Sequence, residues 1–367
     1  MKKFLDCISI VGATPSKFHG TKKYVSTGAV ATTEIDESEV VEVTYEDRPS
    51  RANLSAEAGD ILFAKMQGTR KTLLLDSETE ENIYSTGFYA VRANPEVITT
   101  ECLYYLIDSE LFLAQKDKNC SGATQKAITN GGMAKIEISV PALSEQGILV
   151  DKLKHLTQLI ADKKKQLNLF DEIIKSRFIE MFGDPKRNPR KWDMVTVGDI
   201  ATDVRYGTSR PATEGGKYPY LRMNNLTYEG YLDLTDLKHI DIPDNEVEKC
   251  VVRNGDVLFN RTNSVELVGK TCVYNLDSDM IIAGYIIRVR IDDRVLPVIL
   301  SSYLNSTVMK EQLRSMAKGA VNQANINAQE LRSIPIYLPP ITLQHEFATF
   351  VEQVDKSKFY IIQMQIL

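Results

Sequence analysis

The chain has 367 residues, with 44 basic and 49 acidic side chains and a formal net charge of −5 at pH 7. That length supports two or three separate apolar cores, and the negative balance excludes a protein that holds nucleic acid by bulk charge alone. Cys7, Cys102, Cys120, Cys250 and Cys272 are scattered without a Cys-x-x-Cys pair or a Cys/His cluster, which excludes a disulfide framework and reads as reduced thiols. The start Met1-Lys2-Lys3-Phe4-Leu5-Asp6 is charged too early for a signal-peptide core, and no apolar run approaches the roughly 18 residues of a membrane span. A soluble cytoplasmic protein is expected.

Residues 1–143 mix short β-branched or aromatic runs with Gly, Pro and Asn punctuation, the pattern of a mixed sheet with short helices. Strands are expected at 61–63 and 84–91, and one helix at 100–115. From 144 to 182 the period becomes helical: Leu149, Val150, Leu153, Leu156, Ile160, Leu167, Phe170, Ile174 and Met181 form a heptad-like seam interrupted by Lys163 and Arg177. Ser144 is the expected N-cap, and Gly183 followed by Pro185 the stop. This helix and the linker 183–192 are the basic part of the chain, with 11 basic and 7 acidic side chains over 144–192. Residues 193–341 return to the mixed pattern, with strands expected at 257–259 and 281–291 and one helix at 296–316. A second long helix follows Pro339-Pro340 over 342–367, capped by Thr342, with Phe347, Phe350, Val354, Ile361 and Met364 on its seam. At 1.5 Å per residue the two long helices span about 58 and about 39 Å.

The two mixed segments repeat one another. Gly59-Asp60-Ile61-Leu62-Phe63 is answered by Gly255-Asp256-Val257-Leu258-Phe259, Gly87-Phe88-Tyr89 by Gly284-Tyr285-Ile286, and Ser121-Gly122-Ala123-Thr124-Gln125 by Lys318-Gly319-Ala320-Val321-Asn322-Gln323. Pro141-Ala142-Leu143-Ser144-Glu145-Gln146 is answered by Leu338-Pro339-Pro340-Ile341-Thr342-Leu343-Gln344. Four landmarks in order at a nearly constant offset predict two related α+β modules. A similar seam after each module predicts that the long helices pair antiparallel within the chain and hold the modules apart.

These landmarks, with Ile173-Ile174-Lys175-Ser176-Arg177-Phe178 through Met181-Phe182-Gly183-Asp184 closing the first helix, resemble the specificity subunit of type I restriction-modification systems over nearly the whole chain. The resemblance implies two target recognition domains, 1–143 and 193–341, each reading half of a split sequence in double-stranded DNA. It also implies spacer helices, 144–182 and 342–367, that set the gap and dock two methyltransferase subunits. S-adenosylmethionine is then bound by those partners, a translocase-nuclease subunit joins in systems that cut, no membrane is involved, and this chain catalyses nothing. The sequence departs from the family in its shorter closing helix, and in lacking a clear first-module counterpart of Tyr218-Pro219-Tyr220-Leu221-Arg222-Met223-Asn224-Asn225.

Base edges in the major groove are read by forked donors and amides: Arg or Lys for guanine, Asn or Gln for adenine. The expected DNA-contacting residues of the first module are Lys65, Gln67, Thr69, Arg70, Lys71, Gln125 and Lys126, with Lys17, Lys22 and Lys23 as further cations. Those of the second are Arg205, Tyr206, Thr208, Ser209, Arg210, Arg222, Asn224, Asn225, Arg261, Thr262, Asn263, Lys318 and Gln323. The loops at 68–71 and 260–263 rank first, because each follows the equivalent Gly-Asp strand. Helix pairing is assigned to Leu149, Leu153, Leu156, Ile160, Leu167, Phe170 and Ile174 on one side and Phe347, Phe350, Val354 and Ile361 on the other.

Catalytic patterns fail. Val268-Gly269-Lys270-Thr271 has Ser264 where a phosphate loop needs its leading glycine. Asn94-Pro95-Glu96 and Asn188-Pro189-Arg190 do not match an amino-methyltransferase motif, and His19, His155, His239 and His345 lack metal-ligand spacing. Pro243-Asp244 with Glu246, Glu248 and Lys249 reads as a charged turn. Three other readings stay open: a coiled-coil scaffold whose modules bind protein, a recombined or truncated specificity chain without independent recognition, and a divergent nuclease or methyltransferase.

Overall fold

The Gly-Asp strand of each module is buried on both faces and forms the wall between two cores. In this computed structural model, which describes residues 1–123, 125–317 and 324–363, the chain divides into units Met1–Ile160 and Ala161–Leu367.

In the first unit, Ile8–Val11, Phe88–Ala93, Ile61–Ala64 and Thr72–Leu74 lie in that order in an antiparallel sheet. A second sheet orders Val41–Val43, Lys22–Val25, Ile83–Ser85 and Ala52–Leu54, with Lys22–Val25 parallel to Ile83–Ser85. The second unit repeats both orders. Ala201–Tyr206, Ile286–Ile291, Val257–Asn260 and Thr271–Val273 form one sheet. Lys238–Ile240, Tyr218–Leu221, Met280–Ile282 and Val251–Val252 form the other, with Tyr218–Leu221 parallel to Met280–Ile282. Because side chains alternate across a strand, Ile61 and Phe63 enter one core with Phe4, Leu103, Phe112 and Met133, while Leu62 and Ala64 enter another with Tyr84 and Phe88. Val257 and Phe259 part from Leu258 in the same way.

The Gly-Asp signature owes its recurrence to geometry. Gly59 and Gly255 take φ of 86° and 91°, a left-handed turn that favours glycine. Asp60 accepts from the Glu57 backbone N–H at 2.9 Å and from Arg92 Nε at 2.6 Å; Asp256 accepts from the Arg253 N–H and from Arg290 Nε, both at 2.9 Å. Each carboxylate therefore ties its own turn to the neighbouring strand.

Several boundaries differ from the sequence reading. The runs 84–91 and 281–291 are each two strands in different sheets, because the chain changes sheet at the corners 86–87 and 283–285. The expected helix at 100–115 is α1, Thr100–Ile107, and α2, Glu110–Lys118, separated where Ser109 accepts from the Phe112 N–H to start a new helix. A short α3, Asn130–Met133, follows. The first long helix, α4, is Leu143–Phe182, which puts Ser144 inside its first turn rather than at the cap. After the short α5, Val197–Ile200, the charged segment read as a turn is helix α6, Asp244–Cys250. The expected helix at 296–316 is α7, Pro297–Asn305, and α8, Thr307–Met316, with Ser306 capping α8. Beyond α9, Ala328–Arg332, the closing helix α10 is Ile341–Gln363, so Thr342 is again one residue inside. Tyr218–Leu221 does have a counterpart: Lys22–Val25 holds the same place, and Tyr24 and Tyr220 each lie opposite an isoleucine, Ile83 and Ile281.

Each long helix is hooked to its module by one buried glutamine. Gln146 accepts from the Thr99 N–H at 2.7 Å and donates to the carbonyls of Val97 and Pro141 at 3.1 and 3.0 Å. Gln344 accepts from the Leu296 N–H at 2.8 Å and donates to Arg294 and Pro339 at 3.0 and 2.8 Å. Thr99 and Leu296 are the N-caps of α1 and α7.

In the second unit α4 and α10 run antiparallel. Phe347 meets Phe178 and Phe182 at centroid distances of 5.4 and 5.5 Å, Arg177 lies over Phe350, and Asp171 pairs with Lys358. Ile174 and Val354 are buried there, Phe170 and Phe350 pack against that core, and Leu167 and Ile361 are half-buried. In the first unit Val150 is buried, Leu153 is half-buried, and Leu149, Leu156 and Ile160 are exposed. Among the described residues, the pairing thus occupies the later part of α4, where α10 lies alongside.

Candidate nucleic-acid interface

The first residue after each Gly-Asp strand is a cation held in the same backbone frame. Lys65 donates its N–H to the Gly87 carbonyl and accepts from the Ile128 N–H, both at 2.9 Å; Arg261 donates to Tyr285 and accepts from Ile326, also at 2.9 Å. The sheet-changing corner lies on one side and the segment entering α3 or α9 on the other. Each cation also lies against an aromatic face, Lys65 4.3 Å from the centroid of Tyr89 and Arg261 5.0 Å from that of Tyr206, an arrangement that holds a cation without neutralising it. Lys65 Nζ donates to Thr86 at 2.9 Å, and burial pushes its pKa down. Gly207 lets the second corner close: a Cβ there would stand 2.1 Å from the Ile282 carbonyl oxygen.

Around Lys65 the sequence-nominated residues converge. The Gln67 N–H donates to the Lys126 carbonyl at 3.0 Å, and Gln125 and Lys126 are exposed. Arg70 forks onto Asp108 at 3.1 and 2.8 Å and reaches Glu110 at 2.9 Å, which raises its pKa through the Asp108 bond first. Lys71 turns inward to the Thr27 carbonyl at 2.6 Å. Beneath the loop sits Lys116, which the sequence reading missed. It is buried and donates to the carbonyls of Ala64, Met66 and Thr69 at 3.3, 2.9 and 2.7 Å, and burial lowers its pKa. Nothing in a Lys-Asp-Lys helical run distinguishes it from a surface lysine. Tyr89, also missed, donates to Asn130 Oδ1 at 2.7 Å and was legible only as part of its strand.

Around Arg261 the structure gathers Tyr206, Thr262 and Asn263. The Tyr206 hydroxyl accepts from the Ala328 N–H at 2.7 Å, Thr262 bonds Asn325 Oδ1 at 2.8 Å, and Asn263 donates to Asn260 Oδ1 at 3.0 Å. Other nominated residues lie elsewhere with carboxylate partners: Arg205, in the strand Ala201–Tyr206, with Asp203, Arg210 with Glu246, and Arg222 with Asp236. Ser209 and Asn224 are exposed, whereas Thr208 and Asn225 are buried, the latter donating to the Asp233 carbonyl at 2.8 Å. Lys318 and Gln323 lie outside the described residues. Lys17, Lys22 and Lys23 pair with Glu46, Glu81 and Glu37.

Solvent-exposed pairs of this kind add little to stability, so a phosphate or a guanine edge can replace the carboxylate with little loss. Lys270 of the failed phosphate-loop match is buried and donates to the Met223 carbonyl at 2.7 Å. Among the described residues there is no group of three or more His, Cys, Asp or Glu placed to hold a metal, and no helix long and apolar enough to cross a membrane.

The family pattern described as the type I restriction modification DNA specificity domain matches residues 10–169 and again 189–367. The chain is 23% identical over 314 residues to the type I restriction enzyme EcoKI specificity subunit of Escherichia coli K12, covering 80% of this chain and 67% of that protein. It is 23% identical over 287 residues to the StySPI specificity subunit of Salmonella potsdam, covering 74% and 62%. With the putative MjaX specificity subunit of Methanocaldococcus jannaschii it shares 28% over 171 residues, covering 46% and 40%. The matches thus span 40% to 67% of these relatives. The fold is shared with a chain of a type I restriction-modification assembly, at a TM-score of 0.52 and 22% identity over 98% of this chain and 93% of that one. It is also shared with the S subunit from M. genitalium, at a TM-score of 0.51 and 12% identity over 99% and 91%. The sheet order, the Gly-Asp bracket and the glutamine hook each occur twice, as does the family pattern, and the chain belongs to the type I restriction-modification DNA specificity family, whose domain it carries in two copies.

Proposed function

We propose that this chain is the sequence-specific DNA-recognition subunit of a cytoplasmic type I restriction-modification complex. The first module reads one half of a bipartite duplex target through Lys65, Gln67, Arg70, Gln125 and Lys126. The second reads the other half through Tyr206, Arg210, Arg261 and Asn263. The observation that carries this reading is the paired cation, Lys65 and Arg261, in one backbone frame on an aromatic face, with different polar neighbours in the two modules. A common frame with divergent surroundings suits one docking mode and two half-site sequences. The chain itself is non-catalytic; S-adenosylmethionine binds two methyltransferase subunits docked on α4 and α10, and a translocase-nuclease joins them where cleavage occurs.

The test is methylome sequencing in a host lacking its own systems, comparing the neighbouring methyltransferase subunit with and without this chain. The expected result is a bipartite methylated motif that requires the chain. A stable complex that methylates no such motif overturns the reading.

A further inference from the structure

The second module is fastened to its helix pair at a root, where the Gln344 hook and an aromatic cluster lie together, and again farther along α10. The root's aromatic cluster has Phe347 against Phe178 and Phe182, while Phe178 also meets Tyr337, which in turn meets Tyr303 of α7. The second attachment lies eleven residues beyond Phe347 along α10, about 16 Å at helical rise. There Lys358 donates to Asp171 Oδ1 of α4 and to the Tyr231 hydroxyl, and that hydroxyl lies 3.3 Å from Asp355 Oδ1, to which it donates. The Lys358 ammonium also stands 4.1 Å from the Tyr231 ring centroid.

Tyr231 belongs to the module. It sits on a hairpin closed by the Leu226 and Leu232 bridge, its N–H donates to Thr227 Oγ1 at 3.1 Å, and at the adjacent Gly230 a Cβ would stand 2.8 Å from the Thr271 carbonyl oxygen. Between the two attachments lies a cleft of about 640 Å³, lined by Phe178, Leu232, Val298 and Val351 among others, so packing does not replace the polar contact across it. A body held at one place can pivot; held at two separated places, it has one orientation.

We propose that the network of Lys358, Asp171, Tyr231 and Asp355 is a strut that fixes the orientation of the second module on the helix pair, and with it the number of base pairs between the two half-sites. This rests on the recognition reading above. These are positioning residues and touch no DNA. One added base pair moves a half-site by about 3.4 Å and turns it by about 35°, a displacement that a pivoting module can follow and a braced one cannot.

The experiment is the same methylome assay with Tyr231→Phe, Lys358→Met and Lys358→Arg chains, each with the methyltransferase subunit. The wild-type chain and Lys358→Arg are expected to methylate a single gap length. Tyr231→Phe and Lys358→Met are expected to keep both half-site sequences and to add sites one base pair longer or shorter, at a tenth or more of the wild-type extent. A wild-type chain without a bipartite motif defeats the recognition reading. A wild-type motif with an unchanged single gap in Tyr231→Phe overturns the strut alone. Loss of all methylation by Tyr231→Phe also overturns it, since the hydroxyl would then support assembly rather than spacing. Should Lys358→Met be insoluble, Tyr231→Phe decides the question, because it removes one oxygen and keeps the ring.

Discussion

Replacing Gln344 by methionine isolates the hook that fastens α10 to the second module. The side chain keeps its length and nearly its volume, so the cavity contribution is small, and what is lost is three hydrogen bonds between 2.8 and 3.0 Å. At about 1 kcal/mol net per bond the loss is about 3 kcal/mol. With a urea slope of about 2.5 kcal/mol per molar for a unit of this size, the midpoint should fall by about 1.2 M. Trp192, the single tryptophan of the chain, is the reporter: it lies in the second unit and its Nε1 donates to the Phe182 carbonyl at 3.0 Å. Its fluorescence transition should move in Gln344→Met and stay in place in Gln146→Met, whose loss falls on the first unit. A shift below about 0.3 M in Gln344→Met, with an unchanged slope, would refute the assignment of the hook as a principal fastening.

Lys310 gives a pH test. Burial first, then Lys270 and Arg314, push its pKa down to about 7, while its Nζ donates to the Gly269 carbonyl at 3.0 Å. Below about pH 7 both folded and unfolded chains hold the proton and the buried charge weakens the fold; between about 7 and the ordinary lysine value near 10.4 only the unfolded chain holds it, so this group adds stability as pH rises. Lys310→Met should therefore raise the urea midpoint more at pH 6 than at pH 9.5, and an equal gain at both values would refute the shift. At the interface, Arg261→Ala should weaken binding to the cognate duplex by about 1 to 3 kcal/mol and relax base preference in one half-site only. Lys65→Ala should do the same in the other half, as read by methylation of a library randomised in each half; a uniform loss across all sequences would make these cations phosphate contacts.

The parts legible in the sequence were those where a backbone need selects a residue type. Gly59 and Gly255 answer to a left-handed turn, and the duplicated landmarks gave the two modules and both long helices. Where strand-forming composition alone was read, the result ran past real boundaries: 84–91 and 281–291 carry β-branched or aromatic residues on both sides of a change of sheet, and the glycines Gly87 and Gly284 lie at the corners. Ser109 and Ser306 are ordinary capping residues in segments whose apolar period continues through them, so the helix breaks were masked. The candidate residues were legible as loops but not as a frame. Lys116 reads as surface until the carbonyls around it are seen, and Lys358 occupies the step between Val354 and Ile361 that the apolar seam leaves blank. Residues that act by filling a polar gap in a folded object leave no periodic trace.

The two glutamine hooks touch only main-chain atoms: the N–H groups of Thr99 and Leu296 and the carbonyls of Val97, Pro141, Arg294 and Pro339. A joint made of peptide groups is indifferent to the side chains mounted beyond it. Drift in the loops around Lys65 or Arg261 therefore leaves the hook intact, and any module that presents the same backbone groups at this joint fits it. Exchange of whole heads by recombination is the evolutionary freedom that such a joint confers, and it separates the history of what is read from the history of what holds the reader.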